Sequence, residues 1–101
     1  MISLIGTEDV LKKAGGAFRT RRLALGLTQA GLAERSGVKL PTLRKFERTG
    51  KISLESFLHL ALVLDYLEPI STALDPIKPT YQTFDEVLQS APKKRQRGRR
   101  T

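Results

Sequence analysis

The sequence predicts an all-α fold: a compact five-helix domain with a short helical C-terminal extension and a basic tail. Three observations point there. Apolar residues recur at three- and four-residue spacing rather than alternating. Serine and threonine caps stand before the apolar runs, with an apolar residue just ahead of each cap. No stretch reads convincingly as a strand, and no segment repeats. At 101 residues the chain holds one small domain plus tails. A core of that size folds alone only marginally, which leaves oligomerisation open. The expected divisions are an N-terminal arm over 1–7, a folded domain over 8–75, a connector with a short amphipathic helix over 76–91, and a disordered basic tail over 92–101.

The first helix is expected from about Glu8 to Leu25, capped by Thr7, with Glu8 and Asp9 complementing the dipole at its start. Val10, Ala14, Ala17, Phe18 and Leu25 give it a broken apolar face. Gly15 and Gly16 are each worth roughly 1 kcal/mol against alanine, so weakness or a bend is expected there. Gly26 stops the helix. Thr28 caps the next one, about 29–36, and Leu27 can close on Leu32 as a hydrophobic staple. A third helix follows at about 40–48. Ile52, Ser53 and Phe57 repeat the staple-and-cap arrangement. From Leu54 to Leu64 the chain is apolar nearly all round, which places that helix in the middle of the core. Glu68-Pro69 starts a fifth helix through Leu74, and Asp75-Pro76 ends it. Residues 79–83 suit an extended connector that can lie along a partner. Thr83, Phe84, Asp85 and Glu86 form a capping box that opens a short amphipathic turn through Leu88.

Composition bounds the chemistry. There is no cysteine, hence no disulfide framework, thiol nucleophile or cysteine-based zinc site. The single histidine, His59, reads as a packed or half-exposed helix residue rather than a ligand. No metal site, catalytic set or cofactor is expected: no nucleophile–base pair, carboxylate pair in a cleft or Gly-rich phosphate loop is present. The N-terminal MISLIGTEDVLKK lacks the charged start, long apolar run and cleavage site of a signal peptide. Nothing approaches the roughly 20 apolar residues that span a bilayer, so no membrane association is expected and a cytoplasmic location is.

The net charge of +8 is unevenly placed. PKKRQRGRRT, residues 92–101, holds six basic residues and no acid. Residues 17–67 hold nine Lys/Arg against four acids, Glu34, Glu47, Glu55 and Asp65. A polyanion is the partner class this favours; solubility alone is the plainer explanation.

TQAGLAERSGVKLPTLRKFERTG reads as two helices joined by a tight turn, about 29–36 and 40–48. Leu32 and Ala33 point inward, and alanine lets the following helix cross at close range. Gly37 sits at the reversal, where a positive φ is free of Cβ strain. Leu43, Phe46 and Glu47 share one face of the second helix. The opposite face carries Pro41, Arg44, Lys45 and Arg48, with Lys39 and Leu40 at its tip. Pro41 is tolerated because its missing N–H falls in the first turn. Ala33, Gly37, Leu43 and Phe46 thus fill the anchor positions of a helix-turn-helix, against the alternative of an ordinary helical hairpin with a solvated charged face.

With those residues in view, FRTRRLALGLTQAGLAERSGVKLPTLRKFERTGKISLESFLHLALVLDYL resembles the Xre/Cro phage-repressor family, over about half of the chain. The resemblance rests on GLTQ, the LAERSGV turn, FERTG and the LALVLDYL helix. It implies a phage-repressor-like five-helix bundle over 8–75 that binds double-stranded operator DNA as a homodimer. TFDEVLQSAPKKRQRGRR is similar to the C-terminal ends of HipB-type antitoxins, which repress their own operon and bind HipA-type kinase toxins. GVKLPTLRKFE is similar to the recognition helix of that subgroup.

The resemblance lays Lys39, Leu40, Pro41, Thr42, Arg44 and Lys45 in the major groove. There the cations donate to guanine O6 and N7, while Leu40 and Pro41 pack on thymine methyls. Family repressors often carry glutamine or serine at those two places, so the usual glutamine–adenine readout is in doubt here. Gln29 matches a phosphate-binding position beside helix N–H groups; Arg19, Arg48 and Lys51 are expected at phosphates. Glu47 matches a structural glutamate paired with Arg22. Gly31 stands where a capping box would place glutamate. In the tail, Lys93, Lys94, Arg95, Arg97, Arg99 and Arg100 are expected to touch phosphates or an acidic partner, if they are not simply solvated.

Three functions follow as expectations. The leading one is a sequence-specific repressor serving as antitoxin of a toxin–antitoxin operon. The others are a stand-alone phage-type regulator and a module that mainly neutralises a toxin.

Overall fold

The computed structural model describes residues 4–77. The expected amphipathic helix near 83–88 and the basic tail lie outside the described residues. Five helices follow one another: α1 (Thr7–Ala24), α2 (Gln29–Ser36), α3 (Leu40–Thr49), α4 (Leu54–Val63) and α5 (Leu67–Ala73). Among the described residues there is no strand. The fold is all-α, as the apolar spacing and cap signals predict.

Local chemistry sets most of the boundaries. Thr28 Oγ1 accepts from the Gly31 N–H at 2.9 Å, and Ser53 Oγ accepts from the Ser56 N–H at 3.1 Å. A Cβ on Gly31 would lie 3.2 Å from Thr28 Oγ1, so glycine there leaves the cap room. Pro69 sits within the first turn of α5, where its missing N–H breaks no helical bond. The start of α1 differs from expectation. Gly6 is the cap and Thr7 already helical, because the Asp9 carboxylate reaches back to accept from the Gly6 N–H at 3.0 Å. The α1 end closes by N–H bonds from Gly26 to Leu23 O and from Leu27 to Arg22 O, both 3.0 Å. The α4 end is built the same way, with Tyr66 donating to Ala61 O at 2.8 Å, but Asp65 holds the left-handed position at φ 64.

The core joins one or more residues from α1, α2, α3 and α4: Phe18, Leu32, Leu43, Phe46, Leu60 and Ala61, with Val38 from the α2–α3 turn and Leu64 from the cap that ends α4. Phe18 is its hub. Its ring stacks on Phe57 and on Tyr66 with centroids 4.8 and 5.0 Å apart, and meets Phe46 edge-on at 5.3 Å.

Three expectations are corrected. The Gly15–Gly16 pair does not weaken α1, which runs unbroken for 18 residues. Gly15 is buried against α3, and a Cβ there would lie 2.5 Å from Phe46 O, so the missing side chain sets how closely the two helices pack. On α1, Val10 and Leu25 are exposed, and only Phe18 of the expected apolar face is fully inside. Finally, α4 is not in the middle of the core. Leu60, Ala61 and Leu64 are buried, whereas Leu54 and Leu62 remain 70% and 62% exposed. Five short helices around one small core cannot enclose α4 on every side.

Gly50 fastens α3 to α1. Its φ is 81, and a Cβ would overlap the Leu11 carbonyl. The α3 end and the start of α1 are therefore in backbone contact, which fixes α3 relative to the bundle.

Candidate nucleic-acid interface

The α2–α3 turn is short and internally bonded. Gly37 takes φ 79, and its N–H reaches Ala33 O at 2.9 Å. The Val38 N–H donates to Ser36 Oγ at 3.1 Å, and Val38 tucks into the core. That turn brings α3 back across α2 with Leu43 and Phe46 fully buried behind it.

The other side of α3 is open. Lys39, Pro41, Arg44, Lys45 and Arg48 are exposed, and Leu40 and Thr42 are half-buried at the helix start. Among the described residues none of these cations makes an ion pair; the pairs present are Arg21–Asp65 and Arg22–Glu47. Unneutralised cations on one rigid helix form a surface complementary to a polyanion. Lys51 is exposed immediately after the Gly50 cap, with its N–H held by Thr49 Oγ1 at 3.1 Å. Arg19 is exposed on α1, one turn before Arg22, and no hydrogen bond or ion pair ties it to α3. The six basic tail residues lie outside the described residues.

Behind the cationic face sits a buried polar network. Arg22 donates from Nε to Glu47 Oε2 at 2.7 Å and from Nη2 to Oε1 at 3.0 Å, a two-pronged pair. Nη1 donates to Leu27 O at 2.8 Å, so the same guanidinium also holds the α1–α2 turn. Only 7% of the Arg22 side chain and 3% of the Glu47 side chain are exposed. Gln29 Nε2 donates to Glu47 Oε1 at 2.9 Å. One carboxylate therefore ties α1, the start of α2 and α3 together.

Sequence reasoning missed the Gln29–Glu47 bond, which joins residues 18 apart with no signature in their spacing. It also missed Arg21, whose Nε caps the α4 end by donating to Leu64 O at 2.9 Å. His59 is exposed on α4, and among the described residues no three His, Asp or Glu side chains gather as metal ligands. An open apolar cleft of about 570 Å³ lies between the start of α1 and the α3–α4 turn, lined by Val10, Leu11, Phe46 and Leu54 among others.

A turn-linked helix pair with an anchored back and a cationic front defines a helix-turn-helix DNA-binding protein. Residues 18–69, just over half the chain, match the helix-turn-helix family, and the chain belongs to it, in its Xre/Cro-type branch. A comparison with curated proteins returns no match. The function class that membership carries is DNA-binding regulation of transcription. Among the described residues no helix is long and apolar enough to cross a membrane.

Proposed function

We propose that the protein is a sequence-specific repressor that binds a palindromic operator as a homodimer and serves as the antitoxin of a toxin–antitoxin operon. The observation that carries the DNA half is the unpaired cationic side of α3, set against the fully buried Leu43 and Phe46. Lys39, Arg44 and Lys45 donate to base edges, with Thr42 beside them. Leu40 and Pro41 contribute apolar contact rather than hydrogen bonds. Gln29, Arg19, Arg48 and Lys51 contact phosphates, Gln29 together with the N–H groups opening α2. The exposed Leu62 on α4, Leu67 on α5, and Leu74 and Ile77 just after it supply an apolar surface for the second subunit. Two such subunits read half-sites about 34–36 Å apart.

The antitoxin half rests on the resemblance of TFDEVLQSAPKKRQRGRR and GVKLPTLRKFE to HipB-type proteins, with a HipA-type kinase as partner. Gel shift on the DNA upstream of the protein's own gene tests repression: specific retention supports it, and equal affinity for scrambled duplex refutes it. Co-purification of a kinase-fold neighbour supports the antitoxin role. The lack of any such neighbour leaves a stand-alone regulator.

A further inference from the structure

The Glu47 carboxylate is buried, acceptor-only and bonded on both oxygens, with Oε1 shared between Arg22 Nη2 and Gln29 Nε2. Arg22 cannot turn away, because its Nη1 is committed to Leu27 O. A glutamine carboxamide has one donating and one accepting end, and rotation about its last bond exchanges them. Beside an acceptor-only carboxylate just one orientation forms a hydrogen bond: nitrogen toward Glu47. That leaves a second Nε2 hydrogen free to donate on this half-exposed side chain at the start of α2, where helix N–H groups already favour an anion.

We propose that Glu47 is a positioning residue for DNA binding: its carboxylate fixes the Gln29 carboxamide so that the second Nε2 hydrogen is presented to a phosphate. The inference rests on the reading of Gln29 as a phosphate contact. It makes a buried negative charge favourable to polyanion binding, against the sign that charge alone dictates. Removing an anion near DNA ought to tighten binding. Removing this one frees the carboxamide to turn its oxygen outward, toward the phosphate it should attract.

The test uses full-length Glu47→Leu, Gln29→Ala and the double variant, with a duplex that the wild-type protein selects from a random library. Failure of the wild type to select any duplex would end the DNA reading itself, a result separate from those below. With binding established, each single variant is expected to weaken affinity about fivefold, the loss of one modest hydrogen bond. The double variant should bind no more weakly than either single one. The slope of affinity against salt should stay unchanged, because a neutral carboxamide displaces no counterion. Equal or tighter binding by Glu47→Leu overturns the proposal, as does the same loss in the Gln29→Ala background. If Glu47→Leu does not fold, NMR of the wild type decides. One Gln29 amide proton protected in the free protein, with the other shifting on DNA addition, supports the assignment. A freely averaging amide contradicts it.

Discussion

The two sides of α3 are built for different tasks. The inner side holds Leu43, Phe46 and Glu47, each buried and each with partners on other helices. The outer side holds Pro41, Arg44, Lys45 and Arg48, exposed and without ion pairs among the described residues. Residues three or four apart in the chain are thus separated by helix geometry into a stability set and a binding set, joined only at Glu47, whose bond to Gln29 reaches the proposed phosphate contact. The lesson is that affinity for DNA and resistance to unfolding should be separable by mutation within one ten-residue helix.

The strongest challenge to that separation comes from the inner side. Phe46→Ala should lower stability by about 4 kcal/mol, read as a shift in the denaturation midpoint. Gly50→Ala should approach the same size, about 3–4 kcal/mol, since it adds a strained positive φ to an overlap with the Leu11 carbonyl. An unchanged melting curve for either would mean that α3 is not fastened as described.

Arg22→Met alone should destabilise by about 3 kcal/mol by leaving Glu47 buried without its cation, whereas Arg22→Met with Glu47→Leu should recover most of that loss. The recovered double variant sharpens the comparison. It restores an apolar interior but lacks the acceptor for Gln29, so stability and DNA affinity should part company.

On the outer side, Arg44→Ala and Lys45→Ala should each leave stability within about 0.5 kcal/mol. Each should weaken binding to the selected duplex about tenfold or more if it reads a base edge. The smallest effect is expected away from α3. Asp65→Gly relieves a left-handed non-glycine residue and should raise stability by about 0.5–1 kcal/mol in thermal or urea melts. Its ion pair with Arg21, long at 3.8 Å and largely exposed, offsets little of that gain.

Legibility in the sequence followed the same division. Thr28, Ser53 and Gly37 announced the helix boundaries because capping and left-handed turns are decided by residues within four positions of each other. Leu43 and Phe46 were readable as inner residues from helical spacing, and the cations opposite them followed from the same period. What escaped was set by chain segments far apart. Gly15 looked like a helix weakness, yet it and Gly50 are places where α1 and α3 backbones meet. The apolar run of α4 suggested full burial, but the exposure of Leu54 and Leu62 depends on how many helices surround it. Gln29 was recognisable as a residue of the α2 start, whereas its bond to Glu47 exists only once α2 and α3 are crossed.

The proposed placement of α3 is tested most directly by titrating isotope-labelled full-length protein with the duplex it selects and following backbone amides by NMR. The account predicts that the largest shifts fall on residues 39–48 and on Gln29 and Ala30, with the cleft around Val10 and Leu54 unmoved. Shifts concentrated at that cleft, with Arg44 and Lys45 unaffected, would contradict it.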